Sequence, residues 1–118
     1  MSIRILLVDD DPVDREAIRR TLTKRWSHAE MIEAGSGGEG NHLSKQGAPP
    51  DVAIIDVRLK RLMGGDLAWM LDQRGIPIVM VTGNPELAPN GFTVVRKEFG
   101  LPGLVEAVEK ALEAPTPH

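Results

Sequence analysis

Four aspartates follow two strongly apolar segments of the sequence. Asp9, Asp10 and Asp11 come directly after the apolar run at residues 3–8, and Asp56 comes directly after the run at residues 52–55. Such runs are typical of buried strands in a parallel sheet, and open α/β sheets bind ligands outside the carboxyl ends of their strands. Because carboxylates that converge at this edge repel one another, we expect a hard divalent cation with oxygen ligands between them, namely Mg2+.

Each of these acids also has a purely structural explanation. An Asp after a strand often caps a helix or forms a turn, because its side chain accepts hydrogen bonds from free backbone N–H groups. Asp11 fits that role well, since Pro12 follows it at the favoured first position of a helix. The other three acids are the candidates for chemistry.

Composition restricts the class of protein. The chain has 118 residues, 42% of them hydrophobic, which is enough for one domain with its own core and leaves no room for a second. A net charge of -3 argues against a nucleic-acid or anionic membrane surface. No cysteine is present, and no segment resembles a signal peptide or a membrane span. We therefore expect a cytoplasmic protein with neither nucleic-acid nor membrane partners.

Apolar runs alternate with helical patterns along the chain. The predicted strands are residues 3–8, 31–34, 52–55, 76–81 and 93–95, and the predicted helices are residues 12–26, 66–74 and 102–113, with a weak helix after the capping-box pattern at 36–39. This alternation predicts a doubly wound α/β fold of flavodoxin-like type with strand order 2-1-3-4-5. We expect the domain to cover residues 1–114 and the last residues, 115–118, to form a flexible tail.

Some details of this layout depend on single residues. Two prolines and a glycine at positions 85, 89 and 91 disfavour a full helix between the last two strands. The glycine-rich segment 35–40 lacks the G-x-G-x-x-G pattern of a phosphate cradle, so we expect a loop or weak helix there. Trp69 is expected to pack rather than to stack on a ligand. The side chains of the first helix expected to face the core are Val13, Ala17, Ile18, Leu22 and Trp26.

Two further polar residues end predicted strands at the same edge of the sheet. Thr82 follows residues 76–81, and Lys97 comes shortly after residues 93–95. A carboxylate can accept a phosphoryl group if the charge on the three peripheral phosphoryl oxygens is neutralised. A divalent cation, a hydroxyl and an ammonium can each contact one of those oxygens. Taken singly, Thr82 and Lys97 are ordinary strand and surface residues, but their joint placement with the acids favours phosphoryl transfer.

These motifs together resemble the receiver domain of two-component response regulators. The matching features are the Asp-Asp-x-Pro sequence at residues 9–12, Asp56 after its apolar run, the Thr-Gly pair at 82–83, and Lys97 two residues before Phe99. The resemblance covers nearly the whole chain. It implies a phosphoacceptor signalling protein rather than an enzyme that turns over a separate substrate.

The resemblance also implies roles for the matching residues. Asp56 would accept the phosphoryl group. Asp10 and Asp56 would bind Mg2+ directly, helped by the backbone carbonyl of Arg58, and Asp9 would act through water. The remaining pair, Thr82 and Lys97, would bind the phosphoryl oxygens and report the event.

The same resemblance implies the partners. The phosphoryl donor would be a phosphohistidine on a sensor histidine kinase or on a histidine phosphotransfer protein. The chain would act as a stand-alone relay, phosphate sink or interaction switch, as a monomer or weak homodimer. The kinase, the stimulus and the downstream target are not encoded in any motif.

The chain departs from the family's pattern at several positions. Val94 occupies the position of the usual aromatic switch, and Phe92 shares its strand parity. Glu98 replaces the usual Pro after Lys97, so we expect a trans peptide bond there. The sequence at residues 80–83 is similar to the second half of the Phe-Ala-Thr-Gly motif that marks a subgroup of alphaproteobacterial single-domain receivers.

Two other classes of function also fit parts of this sequence. In a haloacid-dehalogenase-like phosphatase, Asp9 would be the nucleophile and Asp11 the general acid two residues on, although the rest of that motif and room for a cap domain are missing. A receiver-like docking module that works without phosphorylation would fit the altered regions 58–65 and 83–99.

Overall fold

The computed structural model describes residues 2–59 and 63–113, so the predicted tail at 115–118 lies outside the described residues. The strands are β1 (Arg4–Val8), β2 (Glu30–Ala34), β3 (Val52–Asp56), β4 (Ile78–Thr82) and β5 (Thr93–Arg96). The helices are α1 (Pro12–Arg25), α2 (Gly37–Leu43), α3 (Gly64–Asp72) and α4 (Leu104–Glu113), with a 3-10 turn at Pro85–Leu87.

All five strands belong to one parallel sheet in the order β2-β1-β3-β4-β5, which confirms the predicted flavodoxin-like topology. The register places the last residues of neighbouring strands side by side. Val8 pairs with Ile55, Asp56 with Val81, and Thr82 with Arg96. The residues that follow β1, β3 and β5 therefore emerge at a common edge, together with the end of β4.

The core has two sides because successive side chains of a strand point to opposite faces. Ile5 and Leu7 of β1 pack on the face that α1 and α4 cover, while Leu6 and Val8 pack on the face that α2 and α3 cover. All four side chains are fully buried. Both faces of the sheet are thus covered by helices, as the near-continuous apolar strands require.

The predicted apolar stripe of α1 is only partly correct. Ile18 and Leu22 are buried and Trp26 is half-buried, but Val13 is 76% exposed and Ala17 is also exposed. At 3.6 residues per turn, Val13 lies about 140° and Ala17 about 100° around the helix from Ile18. Neither residue therefore lies on the helix face that Ile18 buries against the sheet. The buried stripe is narrower than the sequence pattern indicates.

A glycine lies at or directly before the first residue of three helices, α2, α3 and α4. α3 begins at Gly64, two residues earlier than predicted, and a Cβ at this glycine would overlap the carbonyl oxygen of Asp56. α4 begins at Leu104 rather than at residue 102, since Gly103 has a φ of 87°, which is incompatible with a helix. The glycine-rich segment forms the short helix α2 as expected.

The capping prediction for α2 is correct for the serine and shifted for the glutamate. Ser36 Oγ accepts a hydrogen bond from the amide of Glu39 (3.1 Å). Glu39 Oε1 accepts from the amide of Gly35 (2.7 Å), one residue before the predicted donor. The glutamate therefore ties the end of β2 to the first turn of α2.

The segment between β4 and β5 contains a single 3-10 turn, Pro85–Leu87, in agreement with the predicted lack of a full helix. The prediction that Trp69 packs is wrong, since its side chain is 60% exposed on α3. Within residues 2–59 and 63–113, none of the helices has the length and apolar character needed to cross a membrane.

Candidate functional site

Asp9 lies at the end of β1 with no solvent exposure. Its Oδ1 atom accepts a hydrogen bond from the amide of Asp11 (2.9 Å), and its main-chain carbonyl oxygen accepts one from Nη1 of Arg15 (2.7 Å). Arg15 also contacts Glu33 Oε1 (3.3 Å) beside the end of β2. The turn after β1 is therefore stabilised by two contacts, one from the Asp9 carboxylate and one from the side chain of Arg15. The contact of Arg15 was not predicted from the sequence.

Asp11 caps α1, as predicted from the proline that follows it. Its Oδ1 atom accepts from the amides of Val13 (2.9 Å) and Asp14 (3.4 Å). Because this carboxylate satisfies the free N–H groups of the helix start, it does not join the other acids. A general-acid role for Asp11 therefore has no support in its hydrogen bonds.

Asp56 lies at the end of β3 and is only 7% exposed. Its Oδ1 atom accepts a hydrogen bond from the amide of Arg58 (3.1 Å). The chain returns close to this point, where the amide of Gly64 donates to the carbonyl of Val57 (3.1 Å). The absence of a side chain at Gly64 allows this close approach beneath Asp56.

The predicted convergence of carboxylates is confirmed. One oxygen from each of Asp9, Asp10 and Asp56 lies within 4.8 Å of the others. Asp9 Oδ2 is buried and accepts no hydrogen bond, although Nζ of Lys97 lies at an ion-pair distance from it. Three carboxylate oxygens with one unsatisfied buried atom fit a hard divalent cation such as Mg2+, which prefers oxygen ligands.

Lys97 reaches the same carboxylates from the end of β5. Its Nζ atom donates hydrogen bonds to Oδ2 of Asp14 (2.9 Å) and of Asp56 (3.2 Å). It also lies 2.8 Å from Asp9 Oδ2, at an ion-pair distance without hydrogen-bond geometry. The lysine side chain is only 17% exposed, so these contacts form in a poorly solvated place.

Asp14 is the residue of this pocket that the sequence analysis missed. It lies in the first turn of α1 and its side chain is 42% exposed. A signal was present, because Asp14 precedes Ile18 and Leu22 at intervals of four residues. A charged residue on the line of buried helix positions, one turn from the strand ends, indicates a partner in the pocket.

The pKa shifts in the pocket reflect burial and crowding of charge. Burial raises the pKa of Asp9 above its ordinary value, and the negative charge of Asp56 adds to the rise, whereas Lys97 and the Asp11 amide oppose it. Burial acts to lower the pKa of Lys97, but the carboxylates of Asp9, Asp14 and Asp56 outweigh it and raise that pKa. Lys97 therefore stays protonated at neutral pH.

Thr82 ends β4 with no solvent exposure. Its Oγ1 atom accepts a hydrogen bond from the amide of Asn84 (3.0 Å), which leaves the hydroxyl hydrogen available as a donor. Its carbonyl oxygen accepts from the amide of Lys97 (2.8 Å). The expected pair thus lies on neighbouring strand ends, although no hydrogen bond joins the Thr82 hydroxyl to the acids.

The two residues considered for the aromatic switch lie on one face of the sheet. Phe92 and Val94 are both half-buried and pack against the core on the side of α2 and α3. This agrees with their predicted common parity. The peptide bond between Lys97 and Glu98 is trans, as expected, since no bond among the described residues is cis.

Comparison with known proteins agrees with this geometry. Residues 5–109 match the family model described as the response regulator receiver domain. The chain belongs to the response regulator receiver family. This receiver is 28% identical over 116 residues to the positive alginate biosynthesis regulatory protein of Pseudomonas aeruginosa, covering 92% of this chain and 47% of the relative. It is 32% identical over 90 residues to the response regulator MprA of Mycobacterium bovis, covering 75% of this chain and 38% of the relative.

The receiver therefore spans less than half the length of these two relatives. Solved structures agree on the fold. A response regulator receiver protein from Sinorhizobium medicae superposes with a TM-score of 0.81 at 24% identity, covering 96% of both chains. A two-component response regulator of the LuxR family from Aurantimonas sp. gives a TM-score of 0.81 at 27% identity, covering 99% of this chain and 91% of that one.

Proposed function

We propose that this receiver accepts a phosphoryl group on Asp56 from a phosphohistidine of a sensor histidine kinase or a histidine phosphotransfer protein. The observation that carries the proposal is the meeting of three carboxylates with one half-buried lysine at the carboxyl edge of the sheet. An anionic donor can approach such a pocket only when the negative charge of the carboxylates is compensated.

The acids would hold the cation that this chemistry needs. Asp10 and Asp56 would bind Mg2+ directly, the carbonyl of Arg58 would complete the protein ligands, and Asp9 would act through water. The close approach of one oxygen from each of Asp9, Asp10 and Asp56 supports a cation at this place. A bound Mg2+ supplies neutralisation of charge on a phosphoryl oxygen.

The protein's own groups would carry out the transfer. A carboxylate oxygen of Asp56 forms a bond to phosphorus while the bond from phosphorus to the donor nitrogen breaks, and that nitrogen keeps the electron pair and is protonated. Lys97 donates a hydrogen bond to one phosphoryl oxygen and Thr82 to another. Later attack of water on phosphorus would release inorganic phosphate and restore the carboxylate of Asp56.

The direct test uses acetyl phosphate and Mg2+ with intact-mass detection of a single phosphoryl adduct. We expect labelling of the wild type that is labile to alkali, and no labelling of Asp56→Asn. Asp72→Asn is the matched control, because it removes an equivalent charge from an exposed site on α3. Labelling that persists in Asp56→Asn contradicts the assignment of the acceptor.

A second arm tests the partner class. Purified sensor kinases are autophosphorylated and then mixed with the receiver, and transfer of the label to the receiver is followed over time. We expect rapid transfer from at least one kinase and none to Asp56→Asn. A wild type that is labelled neither by acetyl phosphate nor by any kinase would instead favour a docking module that works without phosphorylation.

A further inference from the structure

Asp14 contacts the pocket in a way that its three neighbouring acids do not. It accepts the shorter of the two hydrogen bonds that Nζ of Lys97 donates, at 2.9 Å, yet it is not one of the carboxylates clustered as possible metal ligands. It reaches Lys97 from α1, whereas the clustered acids lie at the ends of β1 and β3. Its carboxylate therefore acts on the lysine and not on the cation.

The lysine has three N–H groups and three carboxylates near it. Asp9 and Asp56 lie 2.8 and 3.2 Å from Nζ, and Asp14 lies 2.9 Å away. A divalent cation would draw on the charges of Asp9 and Asp56, whose oxygens belong to the metal cluster. Asp14 would keep its full charge beside Lys97 after the cation binds.

The negative charge of Asp14 changes the net charge of the pocket. Asp14 adds a fourth negative charge to a pocket with three other carboxylates and one ammonium. With one Mg2+ bound, this fourth charge leaves the pocket net negative before any phosphoryl group arrives. An incoming anion is repelled by that excess charge, although solvent screens it in part because the Asp14 side chain is 42% exposed.

We infer that Asp14 is a positioning residue that competes with the phosphoryl group for Lys97 and so weakens the pocket's hold on that group. This inference rests on the proposed function, since it concerns the same site. The effect of Asp14 shifts the phosphorylation equilibrium toward the free carboxylate of Asp56. The receiver is thereby biased toward its unphosphorylated state.

A purely structural role predicts a different result. An acidic residue in the first turn of a helix is favoured by the helix dipole. In that case, removing the charge of Asp14 would lower the stability of α1 and would leave the affinity for a phosphoryl mimic unchanged. The two roles are therefore separated by a binding measurement.

The test is a titration of the wild type with beryllofluoride at saturating Mg2+, followed by calorimetry and by 19F NMR of the bound ion. Asp14→Asn keeps an oxygen that can accept from Lys97 but removes the charge, and should bind the mimic about three- to tenfold more tightly. Asp14→Glu keeps the charge and should bind like the wild type. Salt should shrink the gain of Asp14→Asn, because it screens the partly exposed charge.

Glu16→Gln is the matched control. It removes one negative charge from the same helix, where Glu16 pairs with Arg19 and Arg20 and not with Lys97. We expect its affinity for beryllofluoride to equal that of the wild type. The affinity for Mg2+ alone should change less in Asp14→Asn than the affinity for the mimic.

The outcomes separate the two proposals. Equal or weaker binding of beryllofluoride by Asp14→Asn, or an equal gain in Glu16→Gln, overturns the role of Asp14 and leaves the phosphoacceptor proposal intact. If Asp14→Asn does not fold, altered binding in a folded Asp14→Glu with its charge retained overturns the role. A folded wild type that binds no beryllofluoride in the presence of Mg2+ refutes the phosphoacceptor proposal itself.

Discussion

The main-chain amide of Lys97 donates a hydrogen bond to the carbonyl oxygen of Thr82, 2.8 Å away. The two residues proposed to bind phosphoryl oxygens are thus joined through their backbones where β4 and β5 end. The Thr82 hydroxyl also accepts from the amide of Asn84, so a movement of the Thr82 side chain would alter a contact with the segment after β4. The site and the segment 83–91 are thus joined by a hydrogen bond.

The metal site can be tested separately from the phosphoryl site. Asp10→Asn should weaken Mg2+ binding by about tenfold or more, because it replaces a charged oxygen ligand of a hard cation. Lys97→Ala should retain much of the Mg2+ affinity, since the ammonium contacts carboxylates and not the cation. Isothermal titration with Mg2+ measures both, and equal affinity of Asp10→Asn and the wild type would refute the ligand role.

The raised pKa of Asp9 predicts a pH-dependent stability in the absence of divalent cations. Burial raises this pKa above the ordinary value of 3.8, so the folded state binds a proton more readily than the unfolded state. The stabilising contribution is fully present below pH 3.8 and is lost as the pH rises through the raised pKa. Asp9→Asn has no such proton, so its stability relative to the wild type should increase from pH 4 toward pH 7.

Urea denaturation at several pH values in EDTA checks this prediction. Addition of Mg2+ should reduce or reverse the advantage of Asp9→Asn, because the cation binds more tightly to the wild-type cluster, which carries one more negative charge. An advantage of Asp9→Asn that is independent of pH would show that the charge of Asp9 is not the cause.

Gly64, which lies against the main chain of Asp56, is predicted not to tolerate a side chain. Gly64→Ala should destabilise the fold by about 2–3 kcal/mol or more. The added Cβ would overlap the carbonyl of Asp56, so the main chain of one of the two segments would have to move. Gly38→Ala is the control, since a Cβ there meets nothing within 4 Å and alanine favours the helix by about 0.5–1 kcal/mol. Thermal unfolding followed by circular dichroism should show a lower Tm for Gly64→Ala and a higher Tm for Gly38→Ala than for the wild type.

The segment 83–91 is predicted to be mobile without phosphorylation and to become partly ordered on binding beryllofluoride. Two charge-assisted contacts of about 1.5–3 kcal/mol each offset the entropy of fixing only a few residues. Ordering should begin next to Thr82, where Asn84 is already bonded to the hydroxyl. Backbone amide relaxation with and without the mimic measures this, and unchanged order parameters near Asn84 would contradict it.

The fold follows from the sequence because its strands are buried on both faces. Continuous apolar runs between helical patterns identify a doubly wound parallel sheet, and the parallel arrangement alone brings Asp9 and Asp56 to one edge. Strand ends therefore predict the carboxylate cluster without any knowledge of side-chain geometry. The lack of a full α-helix at 85–90 follows equally from the two prolines.

Other features depend on contacts between distant parts of the chain. The helix α3 starts on Gly64, a poor helix former, because the close approach to Asp56 determines where the chain turns. Val13 on α1 and Trp69 on α3 are exposed because of how each helix is rotated about its axis on the sheet. Apolar composition does not specify that rotation. Asp14 reaches Lys97 through the same rotation, across 83 positions of sequence.

The 3-10 turn at Pro85–Leu87 has a consequence for protein engineering. A three-residue turn offers no continuous stripe of side chains, so a partner that recognises this region must read main-chain groups, prolines and the 51% exposed Leu87. Grafting single surface residues from receivers with a full helix at this position would not transplant their binding specificity. A working chimera would require exchange of the whole segment 83–91, with glycine kept at position 65, where an added Cβ would press against Pro89.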